Sequence, residues 1–533
     1  MLDILIKNGW VIDGTGNPRR RCDLGIKDGR IAFLGRQSVE PAKEVIEADG
    51  LIVSPGFIDA HSHSDVTIES NPWCESTIYQ GITTEIVGNC GDSTAPFPPK
   101  GFGTGGGFGR FTTDEIPYGR TLGEHMDQLE KMGMSGNLVW LVGHNSLRTL
   151  AGVCGEEVTE EQYQIMEAAL RQALEDGAVG MSSGLEFEPG RMSRPEELMR
   201  LAGVVKEYDA IYTSHIRNRD ARVLDALDEF LAVIRHWNIR GEVSHMNIRY
   251  HTHAPEHAVQ KCMEKIQQAR DEGYEVLTDM TPLNYGIGQM AGILPGWLTG
   301  LPREQLKSAL LDPEIRSRLK EDCDRYWRFI AGGEWERVRM QNNYAFPEIN
   351  GMTFPEIANL WHKDPWDCYF DILAAVAPDI ESVVLVSRLF TDEHLKETIS
   401  NPLYMLVVDG YSTSVEGEVA KHTQFPLHYI GMSWFLTHHV RENHILSLEE
   451  AIRKMTSMPA AHFGIKGRGI LYEGAVADVT VFDFEHLETP FDLQHPAQYV
   501  RGVEHVFIGG IPVLKNGVHL HTTPGKNIRR GRE

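Results

Sequence analysis

Two histidines one residue apart, His61 and His63, close the segment PGFIDAHSHSD. In an extended chain, residues i and i+2 face the same side, so both imidazoles can meet a single point, and that geometry suits a metal ion. Other donors also follow apolar runs: Cys90 in EIVGNCGD, His215 in IYTSHIRN, His245 in GEVSHMN and Asp409 in MLVVDGYS. Taken singly each is ordinary, since a lone buried histidine is usually a hydrogen-bonding residue and a lone buried cysteine a small hydrophobe. Together they combine imidazole, thiolate and carboxylate, a donor set that suits zinc. The expected cofactor is Zn2+, one or two ions per chain.

Converging such scattered residues requires a scaffold that brings many strand ends to one rim. The middle of the chain alternates short apolar strands with amphipathic helices, as in NLVWLVGH followed by EEQYQIMEAALRQALEDG, and ARVLDALDEFLAVIRHW followed by RGEVSH. Repeated βα units imply a parallel sheet, and this many favour a closed (β/α)8 TIM-type barrel. Predicted strands end in His144, Ser182, His215, His245 and Asp279, and the C-terminal rim is where such barrels place catalysis. Both chain ends read instead as β structure. ILIKNGWVI, LGIKDGRIAFLG and VFIGGIPVLKNGVHL carry Asn-Gly or Asp-Gly between short apolar runs, which predicts hairpins. The expected organisation is a small β-sandwich domain from residues 1–54 plus 464–533, a barrel over 55–463, and an inserted helical subdomain at about 290–400. The glycine-rich run GFGTGGGFGR (101–110) lacks the Lys-Ser/Thr of a phosphate loop and reads as a loop beside the site. The second His-x-His pair, His251 and His253, follows its strand rather than ending it and is set aside as a metal site.

The bulk numbers narrow the class. The 533 residues carry 51 basic and 75 acidic side chains, a net charge of −24 that disfavours nucleic acid and anionic membranes as partners. No apolar run approaches the ~18 residues of a membrane span, and no signal peptide is visible. Seven scattered cysteines do not form a disulfide framework. A cytoplasmic location with reduced thiols is expected. The expected partner is a small-molecule substrate, with a homo-oligomer left open.

On these motifs the chain resembles the amidohydrolase superfamily and, within it, the N-acyl-D-amino-acid deacylases (D-aminoacylases). PGFIDAHSHSD, GNCG, VGHNSLR, GLEFEPG, TSHIRN, VSHMN, VVDG and GRGILYEGAVADVTVFD occur in family order. The resemblance implies that His61, His63, Cys90 and Asp409 surround one metal position and that Cys90, His215 and His245 surround the other. Cys90 then bridges in place of the carboxylated lysine of hydantoinases, which fits the absence of lysine from AVGMSSGLEFEPG. Glu186 or Glu188 is the alternative bridge, disfavoured by the Pro-Gly turn that follows. The expected reaction is hydrolysis of a non-peptide linear amide: a metal-bound hydroxide attacks the carbonyl, and Asp409 carries the proton to the leaving nitrogen.

The sequence also departs from the family. The lysine expected two residues after the last metal histidine is Asn247, the arginine of a His-Pro-Arg segment is Gln424 in HTQF, and the expected tyrosine is Leu283, with Tyr285 nearby. In the resemblance those lost groups hold a free carboxylate. Arg191, Arg217, Arg219 and Arg249 are the rim arginines that could replace them. Candidate substrate contacts are therefore His144, Glu186, Arg217, Asn247, Leu283, Tyr285 and Gln424, with His144 equally readable as structural. The leading substrate is an N-acyl-D-amino acid or related N-acyl compound. The alternatives are a neutral or larger amide, an ester or cyclic amide, or a non-catalytic scaffold.

Overall fold

In the computed structural model the described residues are 1–97, 119–299, 301–322, 327–377 and 379–531; the glycine-rich run 101–110 lies outside them. Eight parallel strands form the central sheet: β1 (Phe57–Asp59), β2 (Ile82–Val87), β3 (Asn137–Gly143), β4 (Gly180–Gly184), β5 (Ile211–His215), β6 (Arg240–Val243), β7 (Val276–Met280) and β8 (Tyr404–Leu406). They pair in chain order. Parallel strands covered on both faces have no polar side to show, and β3, NLVWLVG, is buried at every position.

The barrel closes where β8 meets β1, just beyond the strand ends. Ser62 bridges Gly410 in parallel, Asp409 N–H donates to His61 O at 2.8 Å and His63 N–H to Gly410 O at 2.8 Å. Asp59 fastens this seam, its Oδ1 accepting from His61 N–H at 3.2 Å and Val408 N–H at 2.9 Å.

The helices form as their sequences require. Helix α1 (Glu160–Asp176) opens with a reciprocal capping box between Thr159 and Gln162 and stops at Gly177, whose φ of +121° a side chain rarely adopts. Helix α2 (Pro195–Glu207) starts on a proline, and α3 (Val223–Trp237) buries Val223, Ala226, Leu227, Phe230, Leu231 and Ile234 at helical spacing. Helix α4 (Ala258–Asp271) covers the next crossover.

Strands from both chain ends make one nine-stranded sheet, joined where Ile52–Pro55 pairs antiparallel with Val479–Phe482. The expected sandwich is thus hydrogen-bonded as a single sheet around its own core, which includes Ile6, Leu24, Val53, Val479 and Phe507. Asp28-Gly29 and Asn516-Gly517 are hairpin turns with both φ values positive. Asn8-Gly9 is not. It lies inside the single strand Leu2–Val11, where the register shifts between Ile6 and Gly9. The positive φ of Asn8 there makes a bulge rather than a turn, and a Cβ on Gly9 would meet Val53 at 2.5 Å.

Between β7 and β8 lies the insertion. It has the expected helices, among them Pro365–Val376, but also an antiparallel sheet in the order Tyr285–Gln289, Val384–Arg388, Val338–Asn342. YGIGQ has too few apolar residues to announce a strand.

Candidate metal centre

All six predicted donors come to the C-terminal rim. His61 and His63 follow β1, Cys90 follows β2, His215 ends β5, His245 follows β6, and Asp409 follows β8. The seam between β1 and β8 is what sets the two histidines beside Asp409. Cys90, His245 and Asp409 have positive φ of +53°, +34° and +57°. Such backbone costs roughly 1–3 kcal/mol per residue and persists where surrounding structure imposes it, often at functional sites.

Cys90 lies at the middle of the group. Its Sγ is 3.3 Å from His61 Nε2, 3.2 Å from His245 Nε2 and 3.6 Å from His215 Nδ1. Asp409 Oδ1 lies 3.2 Å from His63 Nε2 and 3.6 Å from His61 Nε2. Two trios have all ligand atoms within 4.8 Å of one another: His61, Cys90 and His245, and His61, His63 and Asp409. His215 reaches the group through Cys90. Asp409 is also the open member, with its side chain 29 % exposed where His61 is 0 % and His63 5 %.

The charges support one another. Burial opposes ionisation of Cys90, but His61 and His245, with hydrogen bonds from His215 and His245, hold its thiol well below the usual range. Burial likewise opposes a proton on His61, yet Cys90, Asp279 and Asp409 keep its imidazole well above the usual value. The Asp409 carboxyl is held low despite burial, by His61, His245 and His63. His245 goes the other way, pushed down to about 3 by burial and by Arg219. Arg219 Nη1 donates to His245 Nδ1 at 2.9 Å. A guanidinium only donates, so the ring proton of His245 sits on Nε2, facing the thiolate.

Outer groups orient the rings. His61 Nδ1 donates to Asp279 Oδ2 at 3.2 Å, and Asp279 Oδ1 also accepts from His245 N–H at 2.5 Å. His215 Nε2 donates to Glu186 Oε2 at 2.7 Å, and the same oxygen is paired with Arg249. Burial would raise the Glu186 carboxyl, but Arg249, His215 and Arg219 hold it well below the usual carboxylate range. Carboxylates behind imidazoles fix the ring and its tautomer. Sequence reasoning had Asp279 as a polar strand end without giving it a task. The task of Asp59 in the seam left no signal beyond its place in the PGFIDAHSHSD motif.

Several expected substrate contacts lie elsewhere. His144 is fully buried, its Nε2 2.7 Å from Glu197 Oε1, and Glu197 also binds Arg148 at 2.6 Å; the histidine is structural. Glu186 does not stand between the donor groups as a bridge: its carboxylate lies behind His215, paired with Arg249. Arg217 is committed to Glu229 through two bonds of 2.9 and 2.8 Å, and Arg249 to Glu186 and Asp220. Leu283 is 2 % exposed and packs in the core. Gln424 Nε2 donates back to Ala420 O in its own turn. Tyr285 is half-buried in the insertion sheet, and the exposed His251 pairs with Glu334 at 3.0 Å. Asn247 differs from these. It is 2 % exposed, and neither polar atom of its side chain has a partner among the described residues.

The model of the amidohydrolase family matches residues 44–280 and 422–514. An N-acyl-D-glutamate deacylase of Alcaligenes xylosoxydans xylosoxydans is 32 % identical over 531 residues, covering 99 % of this chain and 97 % of the relative. A D-aminoacylase of the same organism is 26 % identical, covering 99 % and 98 %. Among solved structures, an N-acyl-D-glutamate deacylase from Bordetella bronchiseptica, complexed with zinc and a phosphonate inhibitor, superposes with a TM-score of 0.81 at 29 % identity, covering 99 % of both chains.

Proposed function

The chain belongs to the amidohydrolase family, and from that premise we propose that it is a zinc-dependent enzyme that hydrolyses the linear amide of an N-acyl-D-amino acid. The observation that carries this reading is the buried group of imidazoles and thiol around Cys90, with Asp409 as its one partly open acid. The donors fit zinc: two trios sharing His61, one of nitrogen and sulfur atoms and one of nitrogen and oxygen atoms, each lie within 4.8 Å. His61, His63 and Asp409 would hold one ion, and Cys90 with His215 and His245 would hold or share a second. When bound, zinc supplies Lewis acidity, polarising a carbonyl and lowering the pKa of water to roughly 7.

The protein's own residues do the rest. Asp409 takes a proton from the attacking water on a carboxylate oxygen and returns it to the leaving nitrogen, since an amine leaves poorly unless protonated. Asp279 and Glu186 keep His61 and His215 in orientation. Replacing Glu186 with glutamine should therefore lower zinc affinity about 10–100-fold, read by competition with a chromogenic chelator. Unchanged affinity would remove Glu186 from that role.

A second reading is favoured by Asn247. A buried carboxamide with both polar atoms unpaired, in the position where the family has lysine, can bind a neutral group through one donor and one acceptor. Loss of a charge-assisted contact to carboxylate costs about 1.5–3 kcal/mol. The deciding experiment is a substrate panel on the zinc-loaded enzyme: N-acetyl-D-glutamate, its L form, other N-acyl-D-amino acids and their carboxamides. Preference for the D acids supports the first reading, and equal turnover of carboxamides the second. No amide turnover at all would overturn both.

A further inference from the structure

Away from the metal group, a cavity of about 400 Å³ opens between the insertion and the loop that follows β6. One wall is the antiparallel sheet. Tyr285 lies directly across from Arg388, and Arg339 across from Val386. Directly opposed residues share a face, as do i and i+2 on one strand. All four therefore point the same way, and all four line the cavity. The alternate residues Val338, Met340, Leu385 and Ser387 are buried on the other face. Tyr250 and His251 supply the facing wall. Tyr250 is five residues beyond His245, so the cavity wall is at most about 18 Å of chain from a predicted metal donor.

The charge inside is cationic. Arg337, Arg339 and Arg388 line it against Glu334 and Glu336. Arg337 is engaged by Glu334 at 2.8 Å and stacks over the Tyr250 ring, 3.6 Å from its centroid. Glu334 is further paired with His251. Arg339 donates to the Gly351 carbonyl, and although its charge helps to hold Glu356 low, it makes no ion pair among the described residues. Arg388 is exposed, and although its carbonyl accepts from Arg337, its guanidinium has neither an ion pair nor a hydrogen bond among the described residues. In a chain of net charge −24, two guanidiniums in no ion pair among the described residues, on one face of a small sheet and flanked by tyrosines, are a local reversal of sign. Guanidinium forks match carboxylates in shape and charge, and the volume falls in the range of small-molecule sites.

We propose that this cavity is a binding site for a small carboxylate-bearing molecule, held by Arg388 and Arg339 with Tyr285 and Tyr250 beside it. The carboxylate belongs either to the distal end of a substrate lying in the barrel mouth or to a separate small acid, and the test separates these sources.

Glutarate is the probe, titrated calorimetrically into the zinc-loaded full-length protein, with glutaramide as the neutral control. Arg388→Ala and Arg339→Ala should each weaken glutarate binding about tenfold or more, and Arg388→Glu should abolish it, with zinc content and circular dichroism unchanged. Competitive inhibition of N-acetyl-D-glutamate turnover by glutarate, lost in Arg388→Ala, assigns the site to the substrate's own carboxylate. Binding that leaves KM unaltered assigns it to a separate acid. Absence of glutarate binding, equal binding of glutaramide, or binding that both alanine variants retain would overturn the proposal. Because binding is read directly, it stands or falls apart from the amide reading.

Discussion

Asp409→Asn is expected to keep its zinc and lose about 10²–10⁴-fold in kcat. The substitution is nearly isosteric, and the backbone favours it: Asp409 has φ +57°, a region asparagine enters more readily than most residues with a Cβ. The Asp409 N–H bond to His61 O at 2.8 Å is untouched, so the seam between β8 and β1 remains closed. The amide oxygen can still face His63, and His61, Cys90 and His245 are unchanged. What disappears is a carboxylate able to accept a proton and give it back. Two measurements check this together, zinc content by atomic absorption and single-turnover rates on N-acetyl-D-glutamate. Near-normal turnover would take Asp409 out of the proton transfer. Loss of zinc would make it chiefly a ligand.

The same seam shows why the site was legible and where it was not. His61, His63, Cys90, His215, His245 and Asp409 could be found because each lies within a few residues of the end of an apolar run, and a parallel barrel sends all such ends to one rim. Their outer partners were less legible. Glu186 sits in a loop beyond β4, and nothing in GLEFEPG distinguishes a bridging carboxylate from one lying behind an imidazole; only the position of Arg249 and the Nε2 side of His215 decides. His144 misled for a related reason. It follows β3 as the metal histidines follow their strands, but it begins a helix and turns to Glu197. Fold class followed from periodicity, whereas Asn8-Gly9 did not: the same dipeptide makes a hairpin or a bulge according to what the strand beside it permits. In the insertion, VLVSR is a short apolar run, and no short-range pattern shows that Arg388 and Arg339 share a face. That depends on register between two strands far apart in sequence.

Cys90 should prove harder to replace than any single imidazole, because its sulfur alone touches His61, His215 and His245. In Cys90→Ser the hydroxyl stays protonated at neutral pH and places no anion among those rings. The trio of His61, His63 and Asp409 survives, so at most one zinc should remain, and kcat/KM should fall about 10²–10⁴-fold as Lewis acidity is lost. Cys90→Asp should recover part of both, since aspartate restores an anionic donor and tolerates the left-handed backbone at φ +53°. A pH series adds a readout that misfolding would not mimic. Burial opposes a proton on His63, but Asp409 and Cys90 outweigh it and lift the imidazole to about 10. Below that pH zinc must displace the proton, so affinity rises with pH, by up to about tenfold per unit for each proton released. Removing the thiolate lowers the imidazole pKa, and the slope in Cys90→Ser should be shallower than in the parent. An equal slope with full zinc stoichiometry would show that Cys90 takes no part in holding the metal.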